Sequence, residues 1–342
     1  MKGFWKEKKV FITGINGFVG ANLAKSLAHQ GASVYGLIRN YNPHSFLYFE
    51  KVNKIITLIN GDITDFHLMK RIIAEEGIQH VFHLAAQVEV GTALEYPYLT
   101  WESNIRGTYT LLEAIREVKT DIKSIIIASS DKAYGSYPIE QLPYQESYPL
   151  KPEYPYDVSK ACGDLIAQTY CSKKFNFPII ITRFANIYGP GQLNFSALIP
   201  DCIRSALGHS TFLPRTNGEH HRDFLFINDV VDLYVLLAKK LSNDKSLNGQ
   251  IFNAGSNDPI HIKSLIIKIF ELILDQEAFT TFKRKIRFPK SKVHGEIIFQ
   301  QMDFKKISEN FKWRPQTKID EGLRLSIDWY KKFLKNQNES SK

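Results

Sequence analysis

The stretch KVFITGINGFVG, residues 9–20, decides the fold of this 342-residue chain. Its first five residues are an apolar, β-branched run that predicts a buried strand. Gly14, Gly17 and Gly20 follow with the spacing GxxGxxG, and a helical pattern begins at the third of them. Glycines at such a turn let the backbone approach a pyrophosphate, and the start of the next helix offers free N–H groups and a positive dipole end. The stretch therefore predicts a dinucleotide-binding site.

Apolar runs and helical patterns alternate from this turn through the first half of the chain. Because the predicted strands are continuously apolar and separated by helices, they indicate a parallel sheet that is covered on both faces. We predict strands at residues 9–13, 33–38, 54–59, 80–84, 124–129 and 178–183, and helices at residues 20–30, 67–76, 104–119 and 156–175.

The alternation ends near residue 188, where Gly189, Pro190 and Gly191 interrupt the chain. A strand-like run at 249–255 and a closing helix at 316–335 follow. The predicted fold class is therefore α/β, a Rossmann-type doubly wound parallel sheet with a smaller C-terminal α/β part. The predicted domains are residues 1–188 for dinucleotide binding, with a crossing segment near 225–260, residues 189–335 mainly for substrate binding, and a frayed tail at 336–342.

The composition excludes several classes of protein. The net charge of +9 suits an anionic ligand, and nucleic acid is the rival interpretation, but no recognition-helix, RRM or zinc-finger pattern is present in the sequence. No apolar run has the length of a transmembrane helix or the form of a signal peptide. Cys162, Cys171 and Cys202 show neither disulfide nor metal-ligand spacing. We therefore expect a cytoplasmic protein without a metal, a membrane partner or a nucleic-acid partner.

The residue that ends the second predicted strand normally selects between NAD and NADP. A carboxylate there binds the ribose 2′-hydroxyl of NAD, whereas an arginine accepts the 2′-phosphate of NADP. This chain has Ile38 and Arg39, so the pattern leans weakly toward NADP, unless Arg39 is only a surface residue. Asp62 follows the third strand, where it could reach the adenine amino group or could be a helix cap or turn residue.

Two further segments carry groups for catalysis. SSDKAYG, residues 129–135, follows the fifth predicted strand, and YDVSK, residues 156–160, opens a long helix. Tyr156 and Lys160 are four residues apart and therefore lie on one face of that helix. The lysine stabilises the phenolate, which lets the tyrosine take a proton near neutral pH. A surface pair is the alternative, and the glycine turn together with Ser130 weighs against it.

With these motifs, the chain resembles the extended short-chain dehydrogenase/reductase family of nucleotide-sugar epimerases and dehydratases. The resemblance covers nearly the whole length, and it is strongest to the CDP-glucose and GDP-mannose 4,6-dehydratase branch. It rests on TGINGFVG (13–20), GDITD (61–65), HLAAQ (83–87), SNIRGT (103–108), SSDKAYG (129–135), YDVSK (156–160), RFANIYGPG (183–191), LIPDCIRSAL (198–207), RDFLFINDV (222–230) and the closing pattern at 302–330.

The resemblance implies a reaction on a nucleotide-diphosphate sugar. NAD(P) would take hydride from C4 of the sugar, water would be lost across C5 and C6, and the hydride would return to C6. Tyr156 would remove the O4 proton, Lys160 would tune the tyrosine and bind the nicotinamide ribose, and Ser130 would hydrogen-bond the same oxygen. The product would be a 4-keto-6-deoxy sugar, with the cofactor regenerated in each cycle.

The dehydration step needs an acid at the C6 hydroxyl and a base at C5. Many 4,6-dehydratases have an Asp-Glu pair after the serine or threonine, whereas this chain has Asp131 and Lys132. Asp131 matches the acid, provided that burial raises its pKa. Lys132 departs from the pattern: it is a base if its pKa is depressed, and otherwise it stabilises the C5 enolate electrostatically. A solvent-facing pair is the alternative for both residues.

Residues that bind the substrate and the cofactor also follow from the resemblance. Arg222 would clamp the pyrophosphate, with Arg215 in a similar role, and Asn186 would hydrogen-bond a diphosphate oxygen. The structural alternatives are a turn role for Asn186 and an ion pair between Arg222 and Asp223 or Asp229. The expected cofactor contacts are Gly14, Asn16, Gly17, Phe18, Val19, Gly20, Arg39, Asp62, Ile63, Leu84, Ala85, Ala86, Gln87, Asn104, Ser129, Tyr156, Lys160 and Phe184.

Three histidines near these motifs are expected to have no catalytic role. His83, at a strand end beside the cofactor loop, is expected to pack, and His220 and His221 are expected to be exposed. The family commonly forms dimers through two long helices, so the resemblance also implies a homodimer through residues 104–119 and 156–175.

Other functions remain open at this point. A nucleotide-sugar 4-epimerase would share the cofactor site and the Ser-Tyr-Lys set but needs no acid at C6, so Asp131 and Lys132 weigh against it. A decarboxylase of a sugar uronate is a weaker rival, because no carboxylate-binding group stands out. A non-catalytic NAD(P)-binding scaffold is the rival from another class, and the complete Ser-Tyr-Lys set argues against it.

Overall fold

A parallel sheet lies at the centre of the molecule in a computed structural model that describes residues 3–290 and 297–340. In these residues the strands are β1 Lys9–Thr13, β2 Ser33–Ile38, β3 Thr57–Asn60, β4 His80–His83, β5 Ser124–Ala128, β6 Ile179–Phe184, β7 Asn186–Tyr188, β8 His221–Arg222, β9 Phe224–Phe226, β10 Ile251–Ala254 and β11 Ile260–His261. Seven of them are hydrogen-bonded in the order β10-β6-β5-β4-β1-β2-β3. The strand order reverses between β1 and β4, so the predicted doubly wound sheet is confirmed.

Helices cover both faces of this sheet. In chain order they are α1 Phe18–His29, α2 Phe46–Phe49, α3 Phe66–Glu75, α4 Val90–Glu95, α5 Pro97–Thr100, α6 Gly107–Val118, α7 Pro155–Tyr170, α8 Leu198–Ala206, α9 Ile227–Asn243, α10 Ile262–Ile273, α11 Gln276–Lys285, α12 Lys305–Phe311 and α13 Ile319–Ser340. A π-helical turn at Trp101–Arg106 leads into α6, and a 3₁₀ turn at Asp131–Tyr134 follows β5.

The continuous apolar run of β5 is explained by burial on both faces. Ile126 packs into the cluster that contains residues of α1 and α9, whereas Ile125 and Ile127 pack with α3, α6 and α7 on the other face. All three side chains are buried. Burying one such side chain stabilises the folded state by about 1.5–3 kcal/mol, so this strand is held at the centre of the sheet and fixes the start of the turn that follows it.

The second half of the chain returns to the main sheet. Strand β10 pairs in parallel with β6, with Ile251 opposite Ile181 and Ala254 opposite Phe184. Helix α9 packs against α1 and β5. The segment from α9 to β10 therefore belongs to the layer of the main sheet, within the region 225–260 that was expected to cross. Two small sheets, β7 with β9 and β8 with β11, connect this layer to the remaining C-terminal residues.

Several element boundaries differ from the expected ones. Helix α7 ends at Tyr170 instead of residue 175, because residues 171–175 form turns. Strand β3 begins at residue 57 instead of 54, because Val52–Lys54 form a 3₁₀ turn. The helix expected from residue 104 begins with the π-helical turn. Helix α13 continues through Ser340, so residues 336–340, which we expected in a frayed tail, are helical, and residues 341–342 lie outside the described part. In the part that the structure describes, no helix is both long and apolar enough to span a membrane.

Candidate active site

A cavity of about 700 Å³ opens at the carboxyl ends of the central strands. This is the position at which sheets with a reversal of strand order bind their ligands. Most of the expected site residues line it together: Gly14, Gly17, Phe18, Val19, Gly20, Leu84, Ala86, Ser129, Ser130, Asp131, Lys132, Tyr156, Lys160, Phe184, Asn186, Arg215 and Arg222.

The glycine turn after β1 is built for close approach of a ligand. Gly14 has φ +71°, and a Cβ atom there would lie 2.7 Å from the amide nitrogen of Ala85. A Cβ atom on Gly20 would lie 2.3 Å from the carbonyl oxygen of Gly14. Gly17 is the N-cap residue of α1, so no side chain covers the first N–H groups of the helix. The turn therefore fits the diphosphate of a dinucleotide, which needs exposed N–H donors at a helix start.

Arg39 and Asp62 meet beyond the end of β2, outside the lining of the main cavity. Arg39 Nη1 lies 3.9 Å from Asp62 Oδ2, and both side chains are exposed. The other carboxylate oxygen of Asp62 accepts hydrogen bonds from the amide and the hydroxyl of Thr64. These bonds and the charge of Arg39 lower the pKa of Asp62, although partial burial opposes them. The structure thus gives Asp62 a turn role, and the two side chains border the adenosine end of the expected cofactor site.

The remaining expected cofactor residues shape the loops around the cavity. Asn16 donates to the carbonyl oxygen of Asn40, and Ile63 is buried against Gly107. The amide of Ala85 donates to Thr13 Oγ1 at 3.2 Å. These side chains hold the turns after β1, β3 and β4 in place rather than lining the cavity.

Asn104 braces the loop after β4 from within the π-helical turn. Its side chain accepts from the Gln87 amide at 2.7 Å, and donates to the Gln87 carbonyl at 3.0 Å and to Ser159 Oγ at 2.8 Å. It is buried, and neither Asn104 nor Gln87 is among the residues that line the cavity. Asn104 therefore links the loop after β4 to α7, and the side chains of Asn104 and Gln87 support the cavity wall from outside.

His83 is a buried brace, in agreement with its expected packing role. Its Nδ1 lies 2.9 Å from Thr13 Oγ1 and its Nε2 lies 2.9 Å from Thr108 Oγ1. Burial, with a smaller effect from Lys160, lowers the pKa of His83 to about 3. The imidazole is therefore neutral at physiological pH and ties β1, β4 and α6 together.

Ser130, Tyr156 and Lys160 come together on the cavity wall between β5 and α7. Lys160 Nζ donates to the carbonyl oxygen of Ala128. Burial, then the negative charge of Asp131, raises the pKa of Tyr156, while the Ser130 hydroxyl lowers it. Burial lowers the pKa of Lys160 to about 8. The tyrosine is thus a neutral hydroxyl in this state, and the lysine is the nearby group that can stabilise its phenolate.

Asp131 is a buried acid in the same cavity. Its side chain is 3% exposed; Oδ1 accepts from Ser130 Oγ at 3.0 Å, and Oδ2 has no hydrogen-bond partner in the part of the chain that is described. Burial raises the pKa of Asp131 against the opposing charges of Lys132 and Arg222. A raised pKa favours the protonated form, as an acid requires. The solvent-facing alternative does not hold for Asp131.

A buried ion pair fixes the turn that carries Asp131. Arg183, which is 2% exposed on β6, binds both carboxylate oxygens of Asp164 on α7, at 2.7 and 3.1 Å. It also donates to the hydroxyl of Tyr134 at 2.9 Å, and Tyr134 donates to Asn253 on β10 at 2.8 Å. One network therefore joins β6, α7 and β10 to the turn at Asp131–Tyr134, and the spacing of single residues did not predict it.

The expected substrate residues also line the cavity. Arg222 Nη1 donates to the carbonyl oxygen of His221. Asp223, the suggested ion-pair partner of Arg222, is buried and accepts from the backbone amides of Ser256, Asn257 and Met302. The carboxylate of Asp229, the other suggested partner, likewise accepts two backbone amides, those of residues 316 and 317. Both acids are thus engaged in holding loops.

Asn186 and Arg215 both line the cavity, but they differ in their exposure and in the contacts that hold their side chains. Asn186 Nδ2 donates to the carbonyl oxygen of Asp223 at 3.1 Å, so its side chain has a structural bond as well as cavity exposure. Arg215 is mostly exposed, donates to the carbonyl oxygen of Ser196 at 2.6 Å and lies 3.6 Å from Asp201. Arg215 thus lies at the rim, where its guanidinium group is held by α8.

His220 corrects one of the expectations. It is 6% exposed and lines the cavity, and His221 is half-buried with its ring 4.9 Å from that of Phe299. The polar dipeptide suggested exposed side chains, but β8 pairs with β11 and brings both histidines against the C-terminal residues.

The burial of Asp157 was also not predicted from the sequence. An acid in the first turn of a helix is ordinary, yet the side chain of Asp157 is only 5% exposed.

Comparison with known proteins agrees with this geometry. A sequence model of the family described as GDP-mannose 4,6 dehydratase matches residues 11–326. The chain belongs to this family. The family match includes the glycine turn, the Ser-Tyr-Lys set and Arg222, so the expected resemblance to nucleotide-sugar dehydratases and epimerases is confirmed.

Relatives in the family have more than one activity. The chain is 26% identical to the dTDP-D-glucose 4,6-dehydratase of Mus musculus, covering 98% of this chain and 92% of that protein. It is 27% identical to the CDP-glucose 4,6-dehydratase of Salmonella typhimurium, covering 98% and 94%. It is 28% identical to a UDP-N-acetyl-alpha-D-glucosaminuronate decarboxylase of Bacillus cytotoxicus, covering 96% and 99%. Family membership therefore leaves the substrate and the final product open.

Solved structures in the family share the fold over nearly the whole chain. The dTDP-glucose 4,6-dehydratase of Streptomyces venezuelae, determined with NAD bound, superposes with a TM-score of 0.82 at 25% identity, covering 95% of this chain and 97% of that one. The UDP-glucose 4-epimerase of Thermotoga maritima superposes with a TM-score of 0.80 at 24% identity, covering 95% and 99%. The second similarity concerns the fold alone.

Proposed function

We propose that this protein is a nucleotide-sugar 4,6-dehydratase that converts a nucleotide-diphosphate hexose into the 4-keto-6-deoxy sugar. The observation that carries the proposal is Asp131, a buried carboxyl group in the same cavity as Ser130, Tyr156 and Lys160. A 4-epimerase needs Ser130, Tyr156 and Lys160 but does not need an acid at the position of Asp131. CDP-glucose and GDP-mannose are the substrates that the sequence motifs favour.

NAD(P) is the proposed cofactor, bound with its diphosphate at the glycine turn. When bound, it supplies the acceptor for hydride from C4 and the donor for hydride to C6. Arg39, just after β2, would be the cation that accepts a 2′-phosphate, which favours NADP. Its position 3.9 Å from Asp62 opposes this preference, because the carboxylate would repel the phosphate.

The chain's own groups move the protons in this proposal. Tyr156 takes the proton of the O4 hydroxyl, Ser130 hydrogen-bonds the same oxygen, and Lys160 stabilises the phenolate that accepts the proton. The resulting 4-ketone acidifies the C5 hydrogen. Lys132 is the proposed base that takes the C5 proton, and the ammonium group that forms stabilises the enolate. Asp131 then protonates the C6 hydroxyl, which leaves as water.

Arg222 and Asn186 are proposed to hold the diphosphate, with Arg215 at the rim. A guanidinium group binds two phosphate oxygens at once, which fixes the sugar in one orientation. All three residues line the cavity that would receive the anionic substrate.

We also infer that the chain forms a homodimer through α4 to α7. Apolar and tyrosine side chains are exposed on this face, among them Leu94, Tyr98, Tyr109 and Leu165. Contiguous exposed apolar surface marks an interaction site on most globular proteins. The two longer helices of this face, α6 and α7, correspond to the segments 104–119 and 156–175 that were expected to pair.

The function is tested by incubating the protein with NAD(P) and CDP-, GDP-, UDP- or dTDP-hexoses and following product mass. Loss of one water from one substrate is the expected result and identifies the nucleotide. A new sugar isomer of unchanged mass would instead indicate an epimerase, and loss of carbon dioxide from a sugar uronate would indicate a decarboxylase. A protein that binds NAD(P) but changes none of these sugars would contradict the proposal and favour the scaffold.

A further inference from the structure

Asp201 is a carboxyl group in the active-site cavity to which the reaction, as proposed, assigns no role. It lies in the first turn of α8, and its side chain is 13% exposed. It lines the same cavity as the catalytic residues and the proposed diphosphate-binding residues, but it belongs to neither group. A carboxylate repels a diphosphate at close range, so we expect a different part of the substrate to contact Asp201.

The carboxylate of Asp201 is held in place without being fully occupied. Arg204 Nη2 lies 3.5 Å from its Oδ1, and Arg215 Nη2 lies 3.6 Å from its Oδ2. Both distances exceed the about 2.7–2.9 Å that is typical of a charge-assisted hydrogen bond. Because a carboxylate can accept about four hydrogen bonds, each oxygen keeps a lone pair that a ligand can use.

The two guanidinium groups also decide which kind of ligand group fits. Burial raises the pKa of Asp201, and the positive charges of Arg215 and Arg204 act against that rise. These charges favour the ionised form at neutral pH. An ionised carboxylate accepts hydrogen bonds and cannot donate them. The ligand group that contacts Asp201 is therefore expected to be a hydrogen-bond donor.

The cavity wall beside Asp201 is apolar. Leu198 lies one turn before Asp201 on the same face of α8 and lines the cavity with it. Residues 212–214, Phe-Leu-Pro, line the cavity next to Arg215, and the half-buried Phe212 packs against the main hydrophobic core. Sites of this kind enclose the apolar faces of a ligand and fix its orientation with few polar groups. The wall therefore suits a flat ring that carries a donor at its edge.

A nucleobase with an exocyclic amino group has both of these properties. Cytosine donates from N4 and guanine donates from N2, whereas thymine carries the acceptor O4 where cytosine carries N4. Uracil has the same O4 acceptor as thymine. The hydroxyl groups of a ribose are donors too, but they are identical in every ribonucleotide. A preference among bases therefore distinguishes contact with the base from contact with the ribose.

We propose that Asp201 recognises the exocyclic amino group of the substrate's base, so that the active site takes a cytosine or guanine nucleotide and rejects uracil and thymine. The lone pairs of Asp201 accept from an amino group and repel the O4 atom of the other two bases. A hydrogen bond to a charged group corresponds to a difference in affinity of about 10–100-fold. This inference rests on the proposed reaction with a nucleotide-diphosphate sugar.

Isothermal titration of the full chain with CDP, UDP, GDP and IDP, with NAD(P) present, tests the proposal. UDP has O4 in place of the amino group of CDP, and IDP lacks the amino group of GDP. In one of these pairs we expect the nucleotide with the amino group to bind about 10–100-fold more tightly, and that pair identifies the base.

The same titrations with two variants assign the preference to Asp201. In Asp201→Asn the preference should fall about tenfold or more, because the neutral amide accepts more weakly and can also turn its donor toward O4. Glu277→Gln removes an exposed acid at the start of α11, outside the cavity lining, and should leave the preference unchanged. If Asp201→Asn does not fold, Asp201→Leu takes its place with the same expected loss.

The outcomes separate this inference from the proposed function. Equal affinities within both pairs overturn the inference, even for a protein that dehydrates a UDP- or dTDP-sugar. An equal loss of affinity for all four nucleotides in Asp201→Asn also overturns it, because Asp201 would then hold the ribose or only Arg215. A preference that depends on Asp201, in a protein that removes water from no nucleotide sugar, would contradict the proposed function and leave this inference intact.

Discussion

At the scale of single residues, burial in the cavity wall shifts the pKa values of the side chains. Asp131 and Tyr156 are kept neutral by burial, whereas Lys160 loses part of its affinity for protons for the same reason. Burial thus favours the neutral form of each of these groups, whether it is an acid or a base. The glycine turn and the Ser-Tyr-Lys set could be predicted from spacing alone. The burial of Asp157 and His220 could not, because it depends on elements distant in the chain.

Removal of the Tyr156 hydroxyl distinguishes an enzyme from a scaffold. Tyr156→Phe keeps the ring but removes the group that accepts the O4 proton, so turnover should fall by about 10²-fold or more. Cofactor affinity, measured by isothermal titration with NAD(P), should change little, since the glycine turn is untouched. Retained turnover would show that another group takes the proton.

Asp131→Asn should separate oxidation from water loss. The amide cannot donate a carboxyl proton, so water loss should slow by about 10²–10⁴-fold. Oxidation at C4 should continue, and reduced cofactor should therefore accumulate during a single turnover followed by absorbance. If both steps slowed equally, Asp131 would act in substrate binding, and the result would favour a 4-epimerase instead.

At the scale of elements, the turn at Asp131–Tyr134 depends on the contacts between α7, β6 and β10. The local sequence pattern predicted these three elements. The Arg183–Asp164 pair could not be predicted in this way, because its two residues meet only in the folded sheet. The π-helical turn at Trp101–Arg106 is a similar case. It places Asn104 against Gln87 and Ser159, which come from a loop and a different helix, so its wider winding is set by partners that the local sequence does not contain.

The buried ion pair should contribute far more to stability than an exposed one. Asp164→Asn leaves the Arg183 guanidinium buried without its counter-charge, which should cost about 3–5 kcal/mol in the free energy of unfolding. Urea denaturation measures this cost. Glu117→Gln, which breaks the exposed Lys70–Glu117 pair at 2.8 Å, is the matched control and should cost less than about 1 kcal/mol. Equal costs would contradict the bracing role of Arg183.

At the scale of the whole molecule, the Rossmann layer was largely predictable and the C-terminal part was not. The first six strands each contain apolar residues in sequence, and their alternation with helices indicates the arrangement of the sheet. By contrast, β8 and β11 contain two residues each and exist only because they pair with one another. Short strands of this kind have no pattern of their own, which is why the surroundings of His220 were not foreseen.

The proposed dimer predicts that substitutions on the α6–α7 face, and not elsewhere on the surface, convert the dimer to a monomer. Leu165→Glu combined with Tyr109→Glu places two charges in the apolar face of α6 and α7, and burying them unpaired is unfavourable. Sedimentation velocity should then show a monomer, whereas the unmodified chain should sediment as a dimer. Ile55→Glu alters an exposed apolar residue away from this face and should leave the dimer intact. A monomeric unmodified chain would contradict the proposal.

The late arrival of β10 has a consequence for synthesis of the chain on the ribosome. Until residues 251–254 emerge, the free edge of β6 carries unpaired N–H and C=O groups, and its buried face lacks α9. Exposed strand edges of this kind recruit other chains. A nascent chain that stops after β6 should therefore depend on chaperones, and the two halves of the protein should mature together rather than one after the other.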